Sequence, residues 1–296
     1  VILLTGASGF FGKIAWRVLG ATQEVYGVCC TNTCGGRFFV CDLTDTRAVE
    51  ELLERVQPEV IIHAAAVRDP NACEERAEYA RRLHVESTAQ LAAWCRRQGA
   101  CLVYISTDYV FDGSAPPYAE DAAVSPISVY GRTKAEGEAA ARAAGEWMIV
   151  RMPLQYGYSE AEDDSFVLKV LGALRRGEEH EVDDVQVRYP TLSDDVAEAI
   201  GALLARGERG IFHLRGPSRL TRYGMWREIA RVFEMESWGV RRAPGAVRQA
   251  ARRPANSELS TARYDALGLA AFHDFESGLR LVRAAMERDG YDWRRG

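Results

Sequence analysis

Short, unbroken apolar runs alternate with stretches whose apolar residues recur every three or four positions, and this alternation organises the first half of the chain. VILLT (1–5), EVYGVCC (24–30), RFFVCDL (37–43), EVIIHAAA (59–66), ACLVYIST (100–107) and WMIVRMP (147–153) read as strands. Helical spacing marks roughly 11–20, 46–56, a long stretch at about 76–98 ending at Gly99, and 128–145. Strands that are apolar throughout, rather than at every second residue, fit a sheet covered on both faces. Strand–helix alternation predicts an α/β fold built on a doubly wound parallel sheet.

The second half is less regular. It offers helices near 165–176, 193–205, 221–234 and 274–288, with one strand at GIFHLRG (210–216). No internal repeat or low-complexity linker interrupts it. The expected division places a dinucleotide-type domain on 1–153 plus about 190–214. A smaller lobe takes about 154–189 and 215–296. In doubly wound sheets ligands bind beyond the carboxyl ends of the strands, which directs attention to the residues after 5, 64, 106 and 152.

Composition narrows the classes of partner. The net charge of −5 leaves no basic footprint for nucleic acid or an anionic membrane. No apolar run approaches the ~20 residues that span a bilayer, and VILLTG is too short for a signal peptide. Seven scattered cysteines predict reduced thiols and a cytoplasmic protein. Cys29, Cys30, Cys34 and Cys41 cluster without paired CxxC spacing, so they read as small core side chains and no metal is expected.

Chemistry begins at TGASGFFG, between the first strand and first helix. Gly6, Gly9 and Gly12 serve a tight turn, close approach of backbone amides to a pyrophosphate, and close packing of helix on strand. Ser8, Phe10 and Phe11 lie in the same turn and are expected beside the dinucleotide. The end of the second strand, VCCTNTCGGR, carries no acid to hold a ribose 2′-hydroxyl. Thr31, Asn32 or Arg37 can meet a 2′-phosphate instead, which favours NADPH and keeps NADH as the alternative. Asp42 is a candidate for the adenine, with capping of the 46–56 helix as the competing role for the acids there.

Lysine is scarce: three (Lys13, Lys134, Lys169) stand against 34 arginines, and Tyr130–Lys134 is the only Tyr-x-x-x-Lys pair. On a helix, residues i and i+4 share a face. A cation beside a phenol is expected to lower its pKa from about 10 and make it a better proton donor near neutrality. The partner hydroxyl should come from a neighbouring strand end. ACLVYISTDYVFDG supplies Thr107, with Ser106 as the register alternative, followed by Asp108 and Tyr109.

TGASGFFG, HAAA, STDYVFDG, PYAED, PISVYGRTKAEGE and RRPANSEL together resemble the extended short-chain dehydrogenase/reductase superfamily. Within it they are most similar to the dTDP-4-dehydrorhamnose reductase family, from residue 1 to about 270. The resemblance implies a Rossmann-like domain with a smaller C-terminal substrate lobe, and a nicotinamide cofactor. It also implies reduction of the 4-keto group of a nucleotide-linked 6-deoxysugar, and a homodimer. Carried over by position, Thr107, Tyr130 and Lys134 are the catalytic set. Gly6, Gly9, Gly12, Asp42, Leu43, Ala64, Ala65, Ala66 and Pro153 contact cofactor, as do Tyr130 and Lys134. Arg68, Asp108, Tyr109 and Leu154 join Thr107 and Tyr130 around the substrate.

Two positions depart from that family. RRLHVEST places His84 where it carries asparagine, and RMPLQYG offers Leu154 where it carries a tryptophan against the sugar. RMPLQYG, QVRYPTLSDDVAEA and GIFHL-x-G also resemble the regulatory β subunits of methionine adenosyltransferase, so a nucleotide-binding regulator is the second reading and a nucleotide-sugar epimerase the third. Arg188, Tyr189, Arg253, Asn256 and Ser257 are further candidate substrate contacts. Asp194 or Asp195 is expected at a helix start, and His63, His84 and His213 in packing roles.

Overall fold

The computed structural model describes residues 1–31, 36–159, 165–245 and 249–295. Seven parallel strands form its central sheet: β1 (Ile2–Thr5), β2 (Val25–Cys29), β3 (Phe38–Val40), β4 (Val60–His63), β5 (Cys101–Thr107), β6 (Glu146–Met152) and, after four two- or three-residue strands, β11 (Gly210–His213). Their order is β11-β6-β5-β4-β1-β2-β3. The order reverses at β1, which pairs with β2 on one side and β4 on the other. That reversal opens a crevice beyond the carboxyl ends of β1 and β4.

Helices cover both faces, as the unbroken apolar strands require. On one face α1 (Phe10–Gly20) and α8 (Ser193–Ala205) pack Phe11, Ala15, Leu19, Val196 and Ile200 against Leu4, Ile62 and Val103. On the other, α2 (Thr46–Val56) and α5 (Ser87–Gln98) bury Leu53, Leu91 and Trp94 against Leu3, Ile61 and Leu102. Every residue of β5 is buried, so its alternate side chains serve two cores at once. Asp45 caps α2 by accepting from the amides of Arg47 and Ala48, which satisfies two donors that the first helical turn leaves free.

The expected single helix over 76–98 is three pieces: α4 (Ala77–Arg81), a π-helical turn over Arg82–Glu86, and α5. A separate short helix, α3 (Pro70–Glu75), precedes them; Pro70 starts it, with the Asp69 side chain as its cap. The π turn inserts one extra residue, a feature that apolar periodicity cannot signal.

The later chain builds a second apolar cluster outside the sheet. There α7 (Phe166–Arg175), α9 (Arg222–Val232) and α11 (Phe275–Arg288) meet through Leu168, Leu171, Met225, Ile229, Leu279 and Val282. The short helix α10 (Ala262–Asp265) returns Tyr264 to the main core, and α6 (Val129–Ala141) flanks β5. Three two-stranded sheets tie the later segments together. They pair β7 (Gln155–Tyr156) with β10 (Thr191–Leu192), β8 (His180–Val182) with β13 (Val240–Arg242), and β9 (Val187–Arg188) with β12 (Leu220–Thr221). Strands this short lie below the length that sequence alternation reveals. Among the described residues no helix is long and apolar enough to cross a membrane.

Candidate active site

The first strand ends in the glycine turn, and the turn's geometry shows why glycine is needed. Gly6 has φ +68°, and a Cβ there would lie 2.7 Å from the Ala65 nitrogen. A Cβ on Gly12 would lie 2.1 Å from the Gly6 carbonyl oxygen. The first allows the chain after β4 to lie against the turn, and the second lets α1 start directly on it. Gly9 occupies the N-cap position of α1 with no side-chain cap, and the first turn carries no acid. Amides at a helix start with no internal partner, backed by the macrodipole, suit a phosphate. The cradle therefore fits a dinucleotide pyrophosphate on its own geometry.

A cavity of about 680 Å³ opens at the crevice, lined at this end by Gly6, Ser8, Gly9, Phe10, Phe11 and Gly12. Asp42, Leu43, Ala64, Ala65, Ala66 and Pro153 line it as well. Asp42 is not the helix cap: Asp45 takes that role, while Asp42 accepts from the Thr44 amide and hydroxyl at 2.8 and 2.9 Å. Thr31 and Arg37 are exposed and are not among the lining residues, and Asn32 lies outside the described residues. Cys29, Cys30 and Cys41 line the wall near Asp42.

Deeper in, β5 and α6 bring Thr107, Tyr130 and Lys134 to the same cavity. The Ser128 side chain caps α6 by accepting from the Gly131 amide, so Tyr130 falls in the first turn and Lys134 one turn on. The Lys134 ammonium is buried, donates to the Ile105 carbonyl at 2.6 Å, and sits 4.0 Å from the centre of the Tyr104 ring. Burial pulls its pKa down to about 7 against the opposing charge of Glu138. The expected lowering of the Tyr130 pKa is overturned. Burial raises it, outweighing the hydrogen bond with Thr107, because a phenolate loses more by desolvation than the surroundings return. Ser106 also lines the cavity but donates to Glu138 at 2.6 Å, whereas Thr107 is the one of the two that is hydrogen-bonded with Tyr130.

Beyond Thr107 the cavity is cationic. Asp108, Tyr109, Arg68, Leu154, Arg188, Arg222 and Arg253 line it. Arg188 stands 5.7 Å from the Tyr109 ring centre and Arg222 5.5 Å from that of Phe166. Burial lowers the pKa of Arg222, and the positive charges of Arg188 and Arg253 lower it further. Like charges held together in a partly buried wall are at odds with one another until an anion arrives. Asp108 is raised by burial, while Ser257, which donates to its carboxylate, and Arg188 oppose the rise. Tyr189 instead turns to Glu258, donating at 2.6 Å.

Sequence reading missed Arg222, Phe166, Asn71 and Lys169 at this wall. One signal was available for Arg222. It lies in the first turn of α9, where a cation opposes the helix dipole.

The chain matches the RmlD substrate binding domain family over residues 1–288. It belongs to that family. Methionine adenosyltransferase 2 subunit beta of Danio rerio is 35% identical over 279 residues, covering 90% of this chain and 85% of that protein. The dTDP-4-keto-6-deoxy-D-glucose reductase of Streptomyces niveus is 33% identical over 285 residues, covering 95% and 92%. The solved dTDP-4-dehydrorhamnose reductase of Bacillus anthracis, in complex with NADP, superposes with a TM-score of 0.85 at 26% identity over 96% of this chain and 98% of that one. The Rossmann-like fold built on the seven-stranded sheet superposes on this neighbour over nearly its whole length. A methionine adenosyltransferase 2 subunit beta and reductases thus both stand among the proteins this chain is similar to, as the sequence resemblances implied.

Proposed function

We propose that this RmlD-family protein is an NADP(H)-dependent oxidoreductase that reduces the 4-keto group of a nucleotide-linked 6-deoxysugar. The observation that carries the reading is the convergence of Thr107, Tyr130 and Lys134 in one cavity, between a glycine cradle and an arginine-lined wall. When bound, the nicotinamide supplies the hydride. Tyr130 gives its proton to the developing alkoxide, and its raised pKa keeps that proton in place until the oxygen becomes basic enough to take it. Thr107 steadies the same oxygen, and Lys134 places a positive charge beside the site and reaches the cofactor ribose. Arg188, Arg222 and Arg253 receive the diphosphate of the sugar nucleotide. Residues 1–153 with about 190–214 carry the cofactor, and about 154–189 with 215–296 carry the substrate. The acid-free end of β2 favours NADP(H) over NAD(H).

The test follows nicotinamide absorbance with dTDP-4-keto-6-deoxyglucose, with and without a 3,5-epimerase. Turnover should fall by roughly 10²–10⁴-fold in Tyr130→Phe while NADP⁺ affinity holds. A second reading is favoured by the identity with methionine adenosyltransferase 2 subunit beta: the cavity holds NADP(H) and the protein regulates a partner enzyme. Tight NADP⁺ binding with no turnover on any keto-sugar, together with capture of a partner synthetase, would select it.

A further inference from the structure

Residues 64–69, between β4 and α3, have no regular secondary structure, yet Ala64, Ala65, Ala66 and Arg68 line the cavity. An irregular segment in a partly buried wall must find partners for its peptide groups outside any ladder. A threonine backed by His63, a second histidine and a thiol supply them. At one end the Ala65 amide donates to the Thr5 hydroxyl at 3.3 Å, and that hydroxyl meets His63 Nδ1 at 2.7 Å. This contact anchors the segment back onto β1 and β4. At the other end the Val67 amide donates to His84 Nε2 at 2.9 Å, while the Val67 carbonyl accepts from the Cys73 thiol at 3.2 Å.

The far side of the His84 ring reaches a different element. Its Nδ1 lies 2.8 Å from the Thr133 hydroxyl, one residue from Lys134 on α6. Thr133 directs its own proton at the Val129 and Tyr130 carbonyls, 3.0 and 3.1 Å away. Its lone pair is therefore open to a donor. Nε2 accepts, so Nδ1 carries the proton, and the imidazole is a neutral bridge with one fixed tautomer. The π turn over Arg82–Glu86 centres on this residue. The His84 carbonyl is taken by the Thr88 and Tyr104 hydroxyls at 2.7 and 3.3 Å, so the ring's origin is held as firmly as its tips. Tyr130 stands edge-on to the same ring at 6.1 Å.

We propose that His84 is a positioning residue that fixes the cavity wall of residues 64–68 to the helix carrying Tyr130 and Lys134. It sets the distance between the cofactor-side wall and the proton-donating pair without touching either ligand. The effect on cofactor affinity rests on the dinucleotide reading of the cavity; the tie itself does not.

NADP⁺ affinity is measured by calorimetry in wild type, His84→Ala, His84→Gln and Thr133→Val, and amide exchange is followed at Val67 in the cofactor-free protein. His84→Ala should bind NADP⁺ about tenfold more weakly, because a buried amide loses its acceptor and the wall its anchor. Val67 should lose exchange protection while β4 and α6 keep theirs. Glutamine offers an acceptor and a donor over a similar span, and should restore most of both. Thr133→Val severs the ring from α6 without removing the Val67 acceptor, and should weaken binding by roughly threefold. It serves the same purpose if the alanine variant does not fold. Wild-type affinity in either His84→Ala or Thr133→Val would overturn the proposal, and so would unchanged Val67 protection in His84→Ala. If the wild-type protein itself binds no NADP⁺, the dinucleotide reading falls, and Val67 exchange alone decides the tie.

Discussion

The two ends of the cavity are built for negative charge by different means. At the α1 end the turn Gly6–Gly12 carries no basic side chain of its own; the groups it offers are backbone amides and a helix dipole. At the other end the charge comes from Arg188, Arg222 and Arg253, on three separate segments of the later chain. The first solution fixes geometry through residues within a few positions of each other. The second fixes charge but leaves geometry to packing among distant segments. A backbone cradle tolerates almost no change in side-chain size, whereas a guanidinium wall can lose a member and keep part of its field.

The largest expected effect therefore falls on the cradle. Gly12→Ala puts a methyl group where a Cβ would lie 2.1 Å from the Gly6 carbonyl oxygen, with no flexible side chain to give way. NADP⁺ affinity, read by calorimetry, should fall by about 100-fold, equivalent to roughly 3 kcal/mol, the upper part of the range for overpacking a tight site. Affinity for the nucleotide-sugar should change little. Equal loss of both ligands would mean that the two ends do not act separately.

This contrast also explains what the sequence disclosed. Gly6, Gly9 and Gly12, Thr107, and the Tyr130–Lys134 pair are local patterns at strand and helix ends, and the structure brings them to one cavity. Each is legible because backbone geometry or i, i+4 spacing dictates the residue type. Arg222 and Phe166 carry no such local signature, since only the packing of α7 against α9 places them side by side. The π turn at His84 was hidden for a related reason: one extra residue in a helix leaves the flanking apolar rhythm nearly intact. The direction of the Tyr130 shift was misread because spacing reveals a neighbouring charge but not the depth of burial around it.

An intermediate effect tests the packing behind the cofactor-side wall by pH. His63 and His84 stand behind the cofactor-side wall and His213 ends the edge strand β11; all three are buried. Burial lowers their pKa values to about 3, 2 and 3, with the charges of Lys134 and Arg151 adding to the effect. Unfolding exposes groups that protonate near 6.5, so the unfolded chain takes up more protons throughout the window below that value. Stability is therefore fully present above pH 6.5 and is lost as pH falls toward 3. Each histidine contributes a loss of up to about 1.4 kcal/mol per pH unit. Urea melts between pH 7 and about 4.5 should show this slope, and His84→Gln should reduce it. A flat profile would mean that the imidazoles are solvated in the folded state. In the folded protein these histidines stay neutral and the arginine wall stays charged across the window, so acid should act through stability and not through the affinity of either wall for its ligand.

The smallest expected effect concerns a single member of the arginine wall. Arg188 is a poor choice for it, because its guanidinium also holds the Val187 and Pro254 carbonyls at 2.6 and 3.0 Å and its loss would disturb the fold. Arg222 lines the cavity and stacks on Phe166, with its charge opposed by Arg188 and Arg253. Arg222→Met keeps the stem's packing and removes the charge. Affinity for a nucleoside diphosphate sugar, measured by calorimetry, should fall by about tenfold, the scale of one charge-assisted contact. Its dependence on salt should weaken, because fewer charges remain to be screened. NADP⁺ affinity should be unchanged, and the variant should melt no lower than wild type, since the repulsion that lowers the Arg222 pKa is relieved along with the charge. A variant that lost NADP⁺ binding in equal measure would place Arg222 at the cofactor's end, and the division between a backbone site and a side-chain site would have to be redrawn around α9.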